Sequence, residues 1–206
     1  MQERLQTMLA MQDAMNRHVH PDWRERRFPW YRATWVECAE LLDHVGYKWW
    51  KRQAPALDQV RLEIVDIWHF GLSALLQEEP DATVVAATIA ATVAGHRPGS
   101  TDLRDATEAL AQQALSSRRF SVSAFWDLLL AAQWDFDGLY GAYVGKNVLN
   151  VFRQDNGYQD GTYRKRWGDR EDNEHLHELL GGLDSAAADF PDRLYAALGD
   201  RYAGAR

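Results

Sequence analysis

The stretch "LEIVDIWHFGLSALL", residues 62–76, decides the fold because its apolar residues recur at the spacing of a helix. With residues placed about 100° apart, one stripe of this helix is apolar. Its members are Val60, Ile64, Ile67, Gly71 and Leu75. Two acids, Glu63 and Asp66, lie three residues apart and project from one side of the same helix. An ionised carboxylate among buried residues is costly unless a cation accompanies it, so the stretch predicts a core helix that needs a positive partner.

The same helical period runs through most of the chain. We predict helices from about Trp30 to Trp50, from about Leu57 to Leu76, and from Asp184 to Arg201, with Pro, Gly and Asp in the connecting segments. No segment alternates between apolar and polar residues over a useful length, as a half-buried strand would. The sequence therefore predicts an all-α fold, a helical bundle.

The length of 206 residues suits one domain. No repeat of fixed period, low-complexity tract or long linker divides the chain. The alanine-rich region at about residues 78–120 stands apart, and we interpret it as a variable or mobile insertion or as a partner-facing part of the same domain. We therefore predict a single all-α domain over residues 1–206.

The composition excludes several classes of function. Thirty acids against 23 bases give a formal net charge of −7, which argues against binding of a nucleic-acid polymer. No apolar run reaches the ~20 residues of a membrane span, so we expect no membrane partner and a cytoplasmic location. The one cysteine, Cys38, excludes an internal disulfide and a thiolate metal cluster. Metal ions bound through oxygen atoms remain compatible with this composition.

A second pair of acids repeats the pattern of the first. In "WVECAELLDHVGYKWW", residues 35–50, Glu37 and Glu40 are also three residues apart and have apolar neighbours. A single pair of this kind is usually a solvated helix face, but two pairs on consecutive helices in apolar surroundings favour a shared site. The short connection "RQAPALD", residues 52–58, favours antiparallel packing of the two helices. The four carboxylates are therefore expected to face one another.

Four converging carboxylates predict a site for a hard divalent cation. Oxygen ligands suit magnesium or manganese, commonly two or more ions about 3.5–4 Å apart, and such a site serves phosphoryl transfer. A di-iron bundle is the alternative, but that design uses Glu-x-x-His pairs, and neither pair here contains histidine. His69 follows Asp66 by three residues and is expected to be a hydrogen-bonded core residue or to support the site.

A basic stretch follows about 80 residues later. Lys146, Asn150 and Arg153 share one helix face, and Arg164, Lys165 and Arg166 come after a glycine-containing turn. Lysine offers a point charge and arginine a bidentate fork to phosphate, and the hydroxyl groups of Tyr158 and Tyr163 can add hydrogen bonds. The alternative is that the arginines form surface salt bridges. The cluster is nonetheless what an acidic protein would need to bind a triphosphate.

Together these residues resemble the all-α dimeric dUTPase family, within the wider MazG-like group of nucleotide pyrophosphohydrolases. Four stretches carry the resemblance in the family's order: "MQDAMN" (11–16), "WVECAE" (35–40), "LEIVDIWHF" (62–70), and "GKNVLNVFRQDNGYQDGTYRKRW" (145–167) with the following "EDN" (171–173). MazG proteins in general share the paired acids, whereas the last stretch is particular to the dUTPases. The resemblance implies a magnesium-dependent homodimer that converts dUTP to dUMP and pyrophosphate and also accepts dUDP.

The resemblance also assigns roles to residues. The metal ligands would be Glu37, Glu40, Glu63 and Asp66; the phosphate contacts Lys146, Arg153, Tyr158 and Lys165; and the nucleoside contacts Gln12, Asn16, Asn150 and Trp49. Glu37 or Glu40 would orient or deprotonate the attacking water. Two alternatives stay open: a MazG-like hydrolase of another deoxynucleotide such as dCTP, and a non-enzymatic helical metal-binding protein. The second would have no use for Lys146 and Arg153.

Overall fold

A computed structural model describes residues 1–99, 102–184, 187 and 189–204. These residues form ten helices and one short hairpin. The helices are α1 (Gln2–Val19), α2 (Trp23–Arg26), α3 (Trp30–Val45), α4 (Leu57–Glu78), α5 (Ala82–Ala94), α6 (Leu103–Ser117), α7 (Val122–Ala131), α8 (Phe136–Asp155), α9 (Asp172–Gly182) and α10 (Phe190–Gly204). The hairpin pairs β1 (Arg166–Trp167) with β2 (Arg170–Glu171) in antiparallel register. The predicted all-α class is confirmed.

Short polar side chains fix where several helices begin. Asp81 accepts a hydrogen bond from the backbone N–H of Thr83 at 2.8 Å, and Asp102, Ser121 and Asp135 cap α6, α7 and α8 in the same way. Each such cap satisfies a backbone N–H group that the first helical turn leaves unpaired, which stabilises a helix by roughly 1 kcal/mol. The connections therefore follow local chemistry that the sequence carries.

Helix α3 ends five residues earlier than the sequence predicted. Its backbone stops at Val45, and Gly46 takes a φ of 87° while its N–H bonds to the carbonyl of Leu42. A positive φ of this size suits glycine and ends the helical path. The prediction of a helix as far as Trp50 is therefore wrong, because apolar residues continue past the glycine without forming a helix.

Helices α3 and α4 pack against each other in antiparallel fashion. At one end the indole N–H of Trp30 donates to Oε1 of Gln77 at 3.0 Å, and at the other the N–H of Ala56 donates to the carbonyl of His44 at 2.9 Å. This pairing confirms the packing expected from the short connection. It also sets the acids of both helices side by side.

The centre of the core is α4. Its side chains Ile64, Ile67 and Trp68 are fully buried, and the Trp68 ring stacks on Phe125 of α7 at 4.5 Å between centroids. Gly71 lets the Phe120 ring approach so closely that an added Cβ would lie 2.4 Å from it. The apolar stripe predicted for this helix is thus the part that faces the core, with Leu75 only partly buried.

Two elements near the end of the chain differ from the prediction. The hairpin has two residues in each strand and is too short to show an alternating pattern. The last helix begins at Phe190, not at Asp184; Ser185, Ala186 and Ala188 of the predicted range lie outside the described residues. Helix α9, which the sequence reading left unassigned, begins with a reciprocal pair of bonds between Glu171 and Glu174.

The region at residues 78–120 contributes helices α5 and α6 to the packed structure. Ala86 and Ile89 of α5 are buried and this helix contacts α1 and α7, while Leu110 of α6 is buried and this helix contacts α3 and α7. Residues 100 and 101 of the region lie outside the described part. Its variability or mobility stays a prediction.

None of the helices in the described ranges is long and apolar enough to cross a lipid bilayer.

Candidate active site

Three carboxylates of the two predicted pairs meet between α3 and α4. Glu37 on α3 and Glu63 and Asp66 on α4 each offer an oxygen atom, and these atoms lie within 4.8 Å of one another. Glu63 is buried, whereas Glu37 and Asp66 are partly exposed. His44 lies beside the group, with Nε2 at 3.3 Å from Oε1 of Glu63. The antiparallel pairing of the two helices therefore produces an oxygen-rich cluster, which we call the acid cluster (Glu37, Glu63 and Asp66).

Glu40 differs from these three acids. It is exposed on α3 and lies outside the group whose oxygen atoms converge, although its charge contributes to raising the pKa of Glu37 and of Glu63. The expectation that Glu40 lies among buried residues is therefore wrong. Its neighbours Trp35 and Val36 are exposed as well, so this face of α3 is apolar in composition but unpacked within the chain. The role of Glu40 as a ligand stays a prediction.

Excess negative charge at the acid cluster alters its protonation. Burial, followed by the charge of Asp66, raises the pKa of Glu37 to about 9, so this carboxyl holds a proton at neutral pH. Glu37 then donates a hydrogen bond to Glu63. Burial also raises the pKa of Glu63, although that hydrogen bond and the charge of Lys146 act in the opposite direction. A divalent cation would correct this charge imbalance, and a set of carboxylate oxygens is the kind that binds one.

Lys146 on α8 supplies a positive charge to the acid cluster. Its Nζ donates to Oδ2 of Asp66 at 2.8 Å and to Oδ1 of Asn173 at 3.2 Å, and its side chain is 3% exposed. Burial of this amine next to Asp66 is tolerated because the carboxylate and the amide satisfy it. The cation that the acids of α4 were expected to need is thus in part a lysine.

Arg153, about two turns further along α8, is held by a different acid. Its Nε and Nη2 donate to both oxygens of Asp172 at 2.8 Å, and Asp172 is fully buried. Burial alone would raise the pKa of Asp172, but the hydrogen bonds from Arg153 and Tyr163 lower it below its usual value. Arg153 also donates to Oδ1 of Asn150 at 3.2 Å. Most of the guanidinium fork is therefore committed within the chain.

The remaining two predicted phosphate contacts lie nearer the surface. Tyr158 is half-exposed, and the Arg153 guanidinium carbon lies 5.9 Å from the centre of its ring. Lys165 is exposed, and its Nζ lies 3.6 Å from a carboxylate oxygen of Glu171. The structure therefore brings Lys146 to the acids and places Tyr158 next to Arg153, while Lys165 pairs with an acid beside α9.

A cavity of about 210 Å³ adjoins the acid cluster. Three of the four predicted nucleoside contacts line it, namely Gln12, Asn16 and Asn150, and so does Asp66 of the acid cluster. Its other walls are largely aromatic and aliphatic, formed by Met15, Val19, His20, Trp23, Phe28, Trp30, His69 and Phe70. An apolar pocket with a few convergent polar groups is the usual form of a small-molecule site. Because Asp66 belongs to both features, a molecule in the cavity would lie against the acid cluster.

A chain of hydrogen bonds organises the polar wall of this cavity. Gln12 accepts from Nδ1 of His69 at 2.7 Å and lies 2.9 Å from the Tyr143 hydroxyl, which donates to it. Gln12 donates in turn to Oδ1 of Asn16, and Asn16 donates to the hydroxyl of Ser73, both at 3.0 Å. The His69 ring also stacks on Tyr143 at 4.2 Å between centroids. The amides are thus fixed in orientation before any ligand binds.

Trp49 lies outside this cavity. Its side chain is 90% exposed in the segment after α3, and its ring contacts Trp50 at 5.4 Å between centroids. The aromatic walls of the cavity come instead from the segment between α2 and the start of α3, and from α4. Trp30, the first residue of α3, stacks on Phe70 of α4 at 6.2 Å between centroids. A contact between Trp49 and a nucleoside stays a prediction. It would require that this segment, or the same segment of a second copy of the chain, bring the ring to the nucleoside.

Several residues of the site escaped the sequence reading as functional groups. Asp172 and Asn173 hold Arg153 and Lys146 from the first turn of α9, and the only signal for them was the run "EDN" after the basic stretch. His44 gave no signal, because a lone histidine at a helix end is usually structural. His69 was expected to be a hydrogen-bonded core residue, and its bond to Gln12 confirms this.

Comparison with known proteins adds one finding. A family model described as dUTPase matches residues 4–158, about three quarters of the chain. No curated protein matches the chain. The matched range contains the acid cluster, the residues that line the cavity, Lys146 and Arg153, whereas Asp172 and Asn173 lie beyond it.

Proposed function

The chain belongs to the dUTPase family and is a dUTP diphosphatase, and from that premise we propose the details of its reaction. It hydrolyses dUTP to dUMP and pyrophosphate, and dUDP to dUMP and phosphate, with magnesium as the cofactor and manganese as a substitute. Two or more ions bind at each site. The attacking group is water, so no serine, cysteine or histidine nucleophile takes part.

One observation carries this proposal: Asp66 lies in the wall of the cavity and in the acid cluster at once. A nucleoside in the cavity would therefore direct its phosphates toward the acids. Two anionic groups in contact would repel each other, which requires cations between them. This arrangement supports metal-assisted hydrolysis of a nucleotide over binding of an uncharged molecule.

The residues of the acid cluster fit a divalent ion. Glu37, Glu63 and Asp66 offer only oxygen atoms, which hard ions such as magnesium prefer. Glu40, whose charge contributes to raising the pKa of Glu37, is the proposed fourth ligand. A bound ion would neutralise charge on the phosphates and lower the pKa of a water molecule. Glu37 or Glu40 would orient that water or take its proton.

The chain itself would position the substrate. Lys146 would turn from Asp66 to a phosphate when the metal takes over the neutralisation of the acids. Arg153, Tyr158 and Lys165 are the other proposed phosphate contacts, and Gln12, Asn16 and Asn150 the nucleoside contacts. Because these amides and the lysine are already fixed in orientation, less entropy is lost when the substrate and the chain reach the transition state.

A nucleotide panel tests this proposal. Purified protein should release pyrophosphate from dUTP with magnesium and stop when the metal is chelated, and Glu37→Gln and Glu63→Gln should abolish turnover while still binding nucleotide in calorimetry. Glu79 is exposed and belongs neither to the acid cluster nor to the cavity wall, so Glu79→Gln provides the control. Hydrolysis of dCTP with dUTP left intact would replace the substrate assignment by the MazG-like alternative.

We also infer a homodimer. Trp35, Val36, Trp50 and Leu57 are exposed apolar side chains on α3, on the segment after it and at the start of α4. Exposed apolar groups of this size commonly lie in protein interfaces, which supports the dimer. Light scattering should give the mass of two chains for the wild-type protein and the mass of one chain for Trp35→Glu. The cytoplasmic location stays a prediction.

A further inference from the structure

Ser123, His96 and Asp127 form a chain of hydrogen bonds near the start of α7. Nε2 of His96 lies 2.9 Å from Oδ1 of Asp127, and Nδ1 of the same ring lies 3.3 Å from the hydroxyl oxygen of Ser123. None of the three residues lines the cavity beside the acid cluster. We call this group the serine relay (Ser123, His96 and Asp127), and the proposed hydrolysis of nucleotides makes no use of it.

Two neighbouring helices bring the serine relay together. Ser123 and Asp127 are four residues apart on α7, so they share one face of that helix. His96 follows the end of α5, which contacts α7, and its backbone N–H donates to the carbonyl of Val93 at 3.1 Å. The His96 side chain is only 4% exposed, so packing fixes the ring between the serine and the aspartate.

Asp127 decides which nitrogen of the His96 ring carries the proton. Its Oδ1 accepts from the N–H of Gly99 at 2.7 Å as well as from His96, so two donors hold the carboxylate in place. A neutral imidazole that faces a carboxylate through Nε2 carries its proton there and has a lone pair on Nδ1. The Ser123 hydroxyl then donates to Nδ1. The imidazole is therefore placed to take a proton from the serine.

The order of groups is the one that activates a serine in hydrolases, with the two ring nitrogens exchanged. Both nitrogens of imidazole belong to one conjugated ring, so Nδ1 can accept a proton while Nε2 donates to the carboxylate. A contact of 3.3 Å between hydroxyl and base is long, but contacts of this kind shorten when a substrate binds. The serine relay therefore has the geometry that a nucleophile and its base require.

The first turn of α7 adds donors for a developing negative charge. Ser121 caps this helix by accepting from the N–H of Ala124 at 3.3 Å. The backbone N–H groups of Val122 and Ser123 have no acceptor among the residues that the structure describes. They lie next to the Ser123 hydroxyl, and the positive end of the helix dipole favours an oxyanion there.

A purely structural role accounts for only part of this arrangement. The bond between His96 and Asp127 would by itself hold the segment after α5 against α7. It gives no reason for a hydroxyl group on the other ring nitrogen. Ser123 is exposed, so its oxygen can meet a solute while the histidine behind it stays buried.

We propose that the serine relay is a second catalytic site, which hydrolyses activated esters of small carboxylic acids. The Ser123 oxygen attacks the carbonyl carbon while its proton passes to Nδ1 of His96, and the N–H groups of the first turn stabilise the oxyanion. The bond to the leaving oxygen then breaks, and Nδ1 gives its proton to that oxygen. Water attacks the acyl-serine by the same route, which releases the carboxylic acid and restores the hydroxyl. Asp127 stays ionised throughout and stabilises the imidazolium.

The position of the serine sets the class of substrate. Because Ser123 is exposed, the serine relay offers little surface to bind a large acyl group. Little binding energy is then available to lower the barrier, so the ester itself must carry a good leaving group. An aryl ester of acetic acid meets both conditions.

The test uses the full-length chain and p-nitrophenyl acetate. Wild-type protein should release an initial burst of p-nitrophenol, and peptide mass spectrometry should find the acetyl group on Ser123. Ser123→Ala removes the nucleophile and should abolish the burst, whereas Ser123→Cys keeps a nucleophile beside the base and should restore it. Asp127→Asn removes the charge behind the imidazole and should slow acetylation of Ser123 by about 100-fold or more.

Ser116 provides a matched control within the same chain. It is exposed on α6, and its hydroxyl bonds to the carbonyl of Gln113 at 3.3 Å, not to a histidine. A fluorophosphonate probe, which reacts with activated serines, should therefore label Ser123 and leave Ser116 unlabelled. Because both serines are compared in one wild-type chain, this result does not depend on whether a variant folds.

The two activities should be separable. Ser123→Ala should hydrolyse dUTP at the wild-type rate, since the serine relay lies outside the nucleotide cavity, and chelation of magnesium should leave the burst unchanged. Equal labelling of Ser123 and Ser116 in wild-type protein would overturn the inference. Equal acetylation of Ser123 in wild-type protein and in a folded Asp127→Asn variant would do the same. In either case His96 and Asp127 would serve only to hold the segment after α5 in place.

Discussion

Lys146 and Asp66 connect α8 to α4 by an ion pair of 2.8 Å in which the lysine is almost fully buried. This pair holds the acid cluster against the basic helix before any ligand binds. Removing one partner of a buried pair leaves the other charge uncompensated, which costs more than the pair itself contributes. The lysine therefore has a structural role as well as the proposed contact with phosphate.

Lys146→Met should lower the free energy of unfolding of the metal-free protein by about 3 kcal/mol, since Asp66 would lose its buried partner. Magnesium should restore part of this loss, because the ion replaces the missing positive charge. Urea denaturation with and without magnesium measures both effects. Lys165→Met is the matched control, because Lys165 is exposed and should change stability by less than about 1 kcal/mol. Equal losses for the two variants would contradict this account of the ion pair.

The stability of the metal-free protein should fall as pH rises from 5 to 9. The folded chain raises the pKa of Glu37 to about 9, far above the usual value of about 4.3 for an unfolded chain. The protonated carboxyl therefore stabilises the fold below pH 4, and this stabilisation is lost as pH rises through the folded pKa. Thermal melting over this pH range measures the trend.

Magnesium should reverse the trend, because metal binding requires the deprotonated acids and grows stronger as pH rises. Glu37→Gln should flatten the dependence in the metal-free protein, while Glu40→Gln, at an exposed position on the same helix, should change it less. A melting temperature that is constant with pH in metal-free wild-type protein would refute the shifted pKa.

Arg153→Ala should destabilise the fold by about 3–5 kcal/mol, because it leaves the carboxylate of Asp172 buried and unpaired. The sequence alone assigned this arginine only to phosphate binding, and the bidentate pair adds a structural role. Arg170→Ala provides the control, since its partner Glu178 is exposed and an exposed pair contributes little to stability. A cooperative melt at the wild-type temperature for Arg153→Ala would return the arginine to a role in binding alone.

Trp30→Ala should raise KM for every nucleotide by about tenfold or more, because the ring forms part of the cavity wall and stacks on Phe70. Trp49, which follows the opposite end of α3, is the matched control. Trp49→Ala should leave KM within about threefold of the wild-type value if the ring stays exposed. Steady-state kinetics of the two variants shows which of the two rings contacts the nucleotide. A larger effect for Trp49 would mean that the segment after α3, or a second copy, closes over the nucleoside.

The parts of the site that the sequence predicted are those that local periodicity determines. Glu63 and Asp66 share a helix face by spacing alone, and the short connection between two helices sufficed to bring Glu37 to them. The helix caps depend on equally local chemistry, as at Asp81, whose carboxylate bonds to the N–H of Thr83. In each case the information lies within a few residues of the feature itself.

The features that escaped prediction depend on contacts between distant segments. Whether Arg153 faces a phosphate or an acid depends on Asp172, which reaches it only when the hairpin turns the chain back. Likewise, the exposure of Trp49 and of Glu40 follows from the way α3 packs, and periodicity could not give it because their neighbours are apolar. A polar residue shows its chemistry in the sequence, but its partner is set by tertiary structure.

The first turn of α9 also determines when the site can form during synthesis. Asn173 accepts hydrogen bonds from both Lys146 and Arg153, at 3.2 and 3.4 Å. A nascent chain that has exposed every helix through α8 still lacks this amide and the adjacent Asp172, and Arg153 has no buried acid to hold it. We therefore expect ribosome-bound chains to gain tight nucleotide affinity in one late step, after α9 has left the exit tunnel.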